Sequence, residues 1–230
     1  MKRADWDRLA LEFESETCDI TAEESADTVS RFVALAKTPK RGAVLADLGC
    51  GVGTFIARHG ERFAHIHGVE FAPRIIARAK ARCGEDVNWL TMSIPSAARR
   101  IGACAHLTVC MNVITQSGAA ARARMWRSLA QVTRKRGYAL VVVPSMESER
   151  MVVSLSRGDG EWRKGGLVLR DGVWQKHYER SEIEEVFAEN GFSVTRIGRA
   201  HYPWSVEGLR ETKARRSKRP WDWIALARKK

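Results

Sequence analysis

No C-x-x-C pair occurs among the five cysteines of this 230-residue chain (Cys18, Cys50, Cys83, Cys104, Cys110), and their odd number and wide scatter do not describe a disulfide framework. Reduced thiols fit a cytoplasmic setting. Long hydrophobic runs are missing too. The longest apolar bursts, such as Tyr138 to Pro144, fall far short of the ~20 residues that a spanning helix needs. Residues 1 to 6 lack the apolar stretch of a signal peptide. These absences lead to the expectation of a cytoplasmic protein without a membrane partner. Metal-ligand spacing is lacking as well: His65 and His67 would face the same way on a strand, but no cysteine, aspartate or third histidine stands near them, so no metal is expected. Nor is there an internal repeat or a low-complexity segment.

What the chain has in excess is positive charge, 39 Lys and Arg against 27 Asp and Glu for a net +12. Such a balance can mark a nucleic acid partner or an acidic substrate. The basic residues are spread over several places (Lys37 to Arg41, Arg134 to Arg136, Lys213 to Arg219, Arg228 to Lys230) instead of forming one stripe with interleaved aromatics, so a solvated surface is the favoured reading. Apolar residues, 44% of the total, come in short bursts along the whole chain, which suits a single domain over residues 1–230, as monomer or homodimer.

Residues 4 to 36 carry apolar positions in helical rhythm (Leu9, Phe13, Phe32, Val33, Leu35), with Thr21 to Glu24 resembling a capping box. Beyond them, short apolar runs alternate with helix-like stretches, the pattern of a parallel sheet covered on both faces. Strands are expected at Ala43 to Leu48, Ile66 to Glu70, Val87 to Thr91, Leu107 to Met111 and Tyr138 to Val143. Helices are expected near 54–60, 73–82, 95–101 and 119–134, which makes a doubly wound sheet. A helix near 146–156 then leads to a hairpin, Leu167 to Tyr178, turning on Asp171 and Gly172. Ser181 with Glu184 is read as a capping box opening a helix that ends at Asn190 and Gly191. Ser193 to Arg199 and Trp223 to Ala227 close the sheet, with Lys213 to Arg219 in the loop between them. The fold class expected is α/β, a mostly parallel seven-stranded sheet with N-terminal helices and a small insertion after strand five.

The densest signal is the run Ala-Val-Leu-Ala-Asp-Leu-Gly-Cys-Gly-Val-Gly-Thr at 43 to 54: a strand, an acid near its end, three glycines at alternate positions and a helix start. Glycine admits backbone angles forbidden to other residues and lets a ligand lie against the main chain. The helix start near Thr54 offers N–H groups to a carboxylate, and Asp47 would face cationic groups of the same ligand. A dinucleotide fingerprint, G-x-G-x-x-G or its alanine variant, fails at Thr54, and a carboxylate at Asp47 would repel a pyrophosphate. Glu70 ends the second strand 21 residues after Gly49, where an acid can accept both hydroxyls of a ribose.

Asp47 to Gly53 followed by Val69 and Glu70 resembles the first two motifs of the class I, Rossmann-like S-adenosylmethionine-dependent methyltransferases, over about residues 40 to 145 and more weakly to the end through Asn190-Gly191-Phe192. The resemblance implies S-adenosylmethionine as cofactor, with Asp47, Gly49, Cys50, Gly51, Gly53 and Thr54 around its methionine part and Glu70 and Phe71 at the ribose. It further implies Met92, Ser93 and Ile94 at the adenine, where the family often has Asp in place of Ser93, and Asn112 beside the transferred methyl. It divides the chain into an N-terminal helical lid (1–40), a cofactor-binding core (41–145) and an acceptor-side region (146–230).

Asn112 is followed by Val113 and Ile114, not by the Pro-Pro-aromatic sequence of enzymes that methylate an amine on a base or a glutamine, and no Pro-Cys pair is present. A small-molecule acceptor is the favoured reading, with RNA, protein or a non-catalytic binding role as alternatives. If the attacking atom carries a proton, the general-base candidates are His177 with Tyr178 and His201 with Tyr202, which read equally as polar caps at strand ends. Trp162, Trp174 and Trp204 can wall a pocket or simply pack, as expected for Trp221 and Trp223, and Trp6 and Phe13 can close over the cofactor or pack on the sheet.

Overall fold

Tyr138 to Val143, the longest apolar run, is buried along its whole length, which a strand achieves only with neighbours on both edges and layers on both faces. In the computed structural model, which describes residues 23–156, 160–170 and 172–230, that run belongs to an interior strand of a seven-stranded sheet. Trp6, Phe13, Thr21 and Asp171 lie outside the described residues. Helix α1 (Glu23–Leu35) leads in. Five strands then alternate with helices: β1 (Val44–Leu48), α2 (Thr54–His59), β2 (His65–Glu70), α3 (Pro73–Cys83), β3 (Asn88–Thr91), α4 (Ile94–Ile101), β4 (Ala105–Met111), α5 (Ala119–Val132) and β5 (Thr133–Pro144). Helix α6 (Met146–Ser156) follows, then a small antiparallel sheet of β6 (Trp162–Arg163), β7 (Leu167–Arg170) and β8 (Val173–Lys176). Helix α7 (Arg180–Glu189), β9 (Phe192–His201), a 3₁₀ turn (Trp204–Glu207), α8 (Lys213–Arg216) and β10 (Trp221–Lys229) complete the chain.

The strand order is β3-β2-β1-β4-β5-β10-β9, with β1 to β5 parallel and β10 antiparallel to both of its neighbours. The doubly wound, mostly parallel seven-stranded sheet expected from the sequence is therefore the observed one. Side-chain alternation divides the core in two. Ala46, Leu48, Val141, Val143 and Trp223 face α4, α5 and α7 through Ala97, Trp126, Leu129, Ile183 and Phe187, whereas Leu45, Val109, Leu140, Val142 and Ile224 face α1 and α2 through Val29, Phe32, Val33 and Phe55. Each fully buried Leu, Ile or Phe contributes ~1.5–3 kcal/mol, so these two layers hold the strand ends in place. No helix among the described residues is long and apolar enough to cross a membrane.

Four local expectations need correction. The capping box of α7 is formed by Glu179 and Glu182, not by Ser181 and Glu184: the Glu182 carboxylate accepts from Glu179 N at 2.8 Å. Helix α5 stops at Val132, because the Thr133 hydroxyl turns to Leu129 O and Thr108 Oγ1, and β5 begins there, five residues before Tyr138. Arg136 at φ 63° absorbs the extra residues in a bulge opposite Ala105 and Leu107. The hairpin gains a third strand, β6, and the basic loop before β10 contains the short helix α8. Gly191, at φ 79°, takes the left-handed position expected of it.

Candidate active site

The turn from β1 to α2 takes its shape from glycine. Gly49, Gly51 and Gly53 have φ of 84°, 52° and 81°, in the region where a side chain is strained. At Gly49 a Cβ would stand 2.5 Å from Val113 Cγ2, and at Gly53 2.9 Å from Cys83 Sγ. The turn is tied across to β2, with Gly49 N and Cys50 N both donating to Val69 O at 2.8 and 2.9 Å. Asp47 is buried just below it. Cys50 is buried as well; desolvation, with Asp47 and Glu70 adding to it, raises its thiol well above the usual range and keeps it neutral. Thr54 Oγ1 accepts from Arg82 at 2.9 Å.

Register places Glu70 two residues beyond Gly68, the partner of Asp47, so the two acids project from the same face of neighbouring strands. Glu70 Oε1 accepts from Phe71 N at 2.7 Å and Ala72 N at 3.0 Å, which fixes the carboxylate at the mouth of the turn. After β3, Met92 is partly buried and Ile94 buried against the core. Ser93 caps α4, its hydroxyl accepting from Ser96 N at 3.4 Å and donating to Ser96 Oγ at 3.0 Å. The serine that stands in place of the family's aspartate is thus engaged in its own helix.

The end of β4 carries a group that the sequence reading missed. Asn112, at φ 53°, donates from Nδ2 to Asp222 Oδ2 at 2.8 Å, bridging over the end of β5, while its Oδ1 has no hydrogen-bond partner among the described residues. Asp222 is buried, and desolvation, with the charge of Glu207 adding, pushes its carboxyl up to about 7 against the lowering effect of the Asn112 bond. The signal was available: Asp222 shares an apolar face with Ile224 and Leu226, where an acid is out of place. A buried polar run continues from it. Arg170 bonds Glu149 and lies 3.0 Å from Glu207, and Tyr202 donates to Glu207 at 2.8 Å. None of Glu149, Arg170 or Glu207 was singled out from the sequence, since they lie on three separate elements.

His177 ends this run. It is 8% exposed, its Nδ1 lies 4.0 Å from Glu149 without a hydrogen-bond partner among the described residues, and burial with Arg170 nearby lowers it to about 4, so it is neutral at pH 7. Tyr178 is a core residue. Its hydroxyl donates to Ile114 O at 2.8 Å and accepts from Trp126 Nε1 at 3.4 Å, and burial pushes it up to about 12. A phenol so committed cannot collect a proton at neutral pH. His201 is exposed at the end of β9, beside Arg219 O at 3.2 Å. Trp204 packs in the core with its Nε1 donating to Arg215 O; Trp162 is exposed, and Trp174 stacks beneath Arg163. The hairpin docks on the loops after β4 and β5 through Lys176 N to Thr115 O and Tyr178 N to Pro144 O, each at 2.8 Å.

No curated protein matches the chain in sequence. The methyltransferase domain family matches residues 45–137, from β1 to the start of β5. Among solved structures, the 1,6-didemethyltoxoflavin-N1-methyltransferase of Burkholderia thailandensis is similar with a TM-score of 0.68 at 16% identity, over 99% of this chain and 86% of that one. A complex of the Haloferax volcanii Trm112 methyltransferase activator with a methyltransferase gives 0.67 at 14%, over 98% and 96%. The magnesium protoporphyrin IX methyltransferase of Synechocystis gives 0.59 at 16%, over 90% and 81%. The match identifies a methyltransferase domain in residues 45–137 of this chain, and the sheet order and glycine turn are in keeping with a Rossmann-like methyltransferase fold.

Proposed function

We propose that the chain transfers the methyl group of S-adenosylmethionine to a small-molecule acceptor in the cytoplasm. The observation that carries this reading is the docking of the β6–β8 sheet on the loops after β4 and β5, which covers the Asn112 end of the sheet with one small hairpin. Among the described residues outside the seven-stranded core there is room for a pocket wall but no separate recognition domain. Two of the similar structures act, by their names, on compounds of this size, 1,6-didemethyltoxoflavin and magnesium protoporphyrin IX.

The donor site fits its ligand on the chain's own terms. Side-chain-free positions at Gly49, Gly51 and Gly53 leave main chain for the methionine part beside Cys50 and Thr54; Asp47 balances the ammonium and sulfonium. Glu70, oriented by Phe71 N and Ala72 N, takes the ribose hydroxyls, with Phe71 alongside. Met92 and Ile94 supply apolar contact for the adenine, and Ser93 meets it only by giving up its cap. When bound, S-adenosylmethionine supplies an electrophilic methyl on a good leaving group, so the chain's contribution is to hold the acceptor in line beside Asn112 and keep water out. Of the histidine candidates, His177 is the one within the buried polar run, whereas His201 lies at the surface.

The test is transfer of tritiated methyl from S-adenosylmethionine into separated fractions of a cell extract. Label in the small-molecule fraction supports the reading; label confined to RNA or protein assigns the basic surface to a macromolecular substrate and overturns it.

A further inference from the structure

We propose that Asp222, oriented by Asn112, receives the proton of a cationic amine acceptor, so that the substrate class is a primary or secondary amine; this rests on the methyl-transfer reading above. Position is the first argument. Through the ladder, Asp47 pairs with Val109, Val109 with Leu140 and Leu140 with Leu226, and paired residues share a face. Asp222 lies four residues beyond Leu226 toward the edge where β1, β4 and β5 end. It therefore stands on the same face as Asp47, beyond the level at which β1 and β4 end and at the edge of the sheet that carries the glycine turn.

The second argument is charge. The buried side chains of Glu149, Glu207 and Asp222 lie together with one cation among the described residues, the part-exposed Arg170, while His177 is neutral and Lys176 is separately paired with Glu182. Three acids against one guanidinium leave Asp222 without a cationic partner among the described residues, a place that an ammonium fills and a neutral acceptor does not. The third is an unmet hydrogen bond. Because Asn112 Nδ2 is committed to Asp222, its Oδ1 must be an acceptor, and it has no donor among the described residues. At the far end of the run, buried His177 Nδ1 is likewise without a partner among the described residues. An amine placed against Asn112 meets the first need with an N–H and the charge imbalance with its cation.

The groups facing Asp222 from the described elements are Asn112 after β4, Pro144 of β5, Ala200 of β9 and Glu207 of the 3₁₀ turn; Ser25 of α1 lies nearby, donating to His201 O. Arg170 and Tyr202 act on Asp222 through Glu207. In the reaction the ammonium N–H bond breaks and its proton passes to the Asp222 carboxylate. The freed nitrogen lone pair then forms the N–C bond to the donor methyl as the C–S bond breaks. That bond's electron pair stays on sulfur, leaving a methylated ammonium, neutral S-adenosylhomocysteine and protonated Asp222. An ordinary carboxylate is too acidic for this exchange; one raised toward neutrality is better matched.

The experiment is carbon-13 NMR of aspartate carboxyls in the full chain saturated with S-adenosylhomocysteine, whose neutral sulfur isolates the effect of the acceptor. The Asp222 signal is assigned by its loss in Asp222→Asn. The proposal expects titration near neutrality, a fall of about one pH unit in the midpoint with benzylammonium, as an opposite charge at contact distance produces, and no shift with benzyl alcohol. Asn112→Gly, which keeps the positive φ but removes the amide, should raise the midpoint. Asp222→Asn should weaken benzylammonium at least tenfold and leave S-adenosylhomocysteine affinity within twofold. A midpoint in the ordinary carboxylate range, an equal response to the alcohol, or unchanged amine affinity in Asp222→Asn overturns it. Failure of the wild type to bind S-adenosylhomocysteine, read by calorimetry on the same samples, would overturn the methyl-transfer reading, and this inference with it.

Discussion

Gly49→Ala tests the physical account of the donor turn more sharply than deletion of a charged residue. Two costs add. A non-glycine residue at φ 84° costs ~1–2 kcal/mol, and a methyl placed 2.5 Å from Val113 Cγ2 must displace a β-branched side chain with one preferred rotamer, an overpacking cost of ~1–3 kcal/mol. Together they predict a loss of ~2–5 kcal/mol, seen as a fall in Tm of roughly 4–20 °C for a chain of this length. S-adenosylhomocysteine affinity should fall at least tenfold, because the methyl lies on the main chain against which the proposed site rests its ligand. Val113→Ala removes the two closest atoms, so in a double-mutant cycle it should recover the overpacking part, a coupling of ~1–3 kcal/mol, and leave the backbone part. Differential scanning calorimetry and titration calorimetry on the four proteins decide it. Strict additivity, or a Gly49→Ala protein that melts and binds like the wild type, would refute the reasoning.

Three further outcomes follow from buried polar groups. Tyr178→Phe leaves Trp126 Nε1 without its acceptor and Ile114 O without its donor, and should cost ~1–3 kcal/mol in urea unfolding while leaving S-adenosylhomocysteine affinity unchanged. His177, lowered from 6.5 to about 4, binds its proton more readily when unfolded, so its contribution is complete above pH 6.5 and is lost as pH falls toward 4; His177→Gln should flatten this acid limb by about 3 kcal/mol. Asp222 has the opposite sign. Its carboxyl, raised from 3.8 to about 7, holds its proton more tightly when folded, so stability falls as pH rises through that window, and Asp222→Asn should be the more stable protein at pH 8 by up to about 4 kcal/mol.

The glycine turn and the acid that follows it were legible because their determinants are local. Each glycine of the 49 to 53 turn answers a backbone requirement within its own few residues, and Glu70 follows at a distance set by one βαβ unit. The same holds for Gly191 at the end of α7 and for the strands of the 167 to 176 hairpin. What was not legible depends on distant pairing. Asn112 and Asp222 are 110 residues apart and meet only because β10 runs antiparallel beside β5. The Glu149, Arg170 and Glu207 run likewise draws on a helix, a hairpin and a 3₁₀ turn. Boundaries failed where several residues of one type compete: Glu179, Ser181, Glu182 and Glu184 offer overlapping capping registers, and the basic run 134 to 136 continues a helical pattern that the Thr133 hydroxyl bonds end. Tyr178 looked like an acid–base candidate beside His177, yet alternation turns its ring toward Trp126 in the core.

The most direct test of the central claim is calorimetric titration of the wild type and Glu70→Ala with S-adenosylhomocysteine and, in parallel, NADH. The account predicts S-adenosylhomocysteine binding that weakens about tenfold or more in Glu70→Ala, the loss of roughly one good hydrogen-bonded contact, with no NADH signal. NADH binding, or S-adenosylhomocysteine binding indifferent to Glu70, would contradict it.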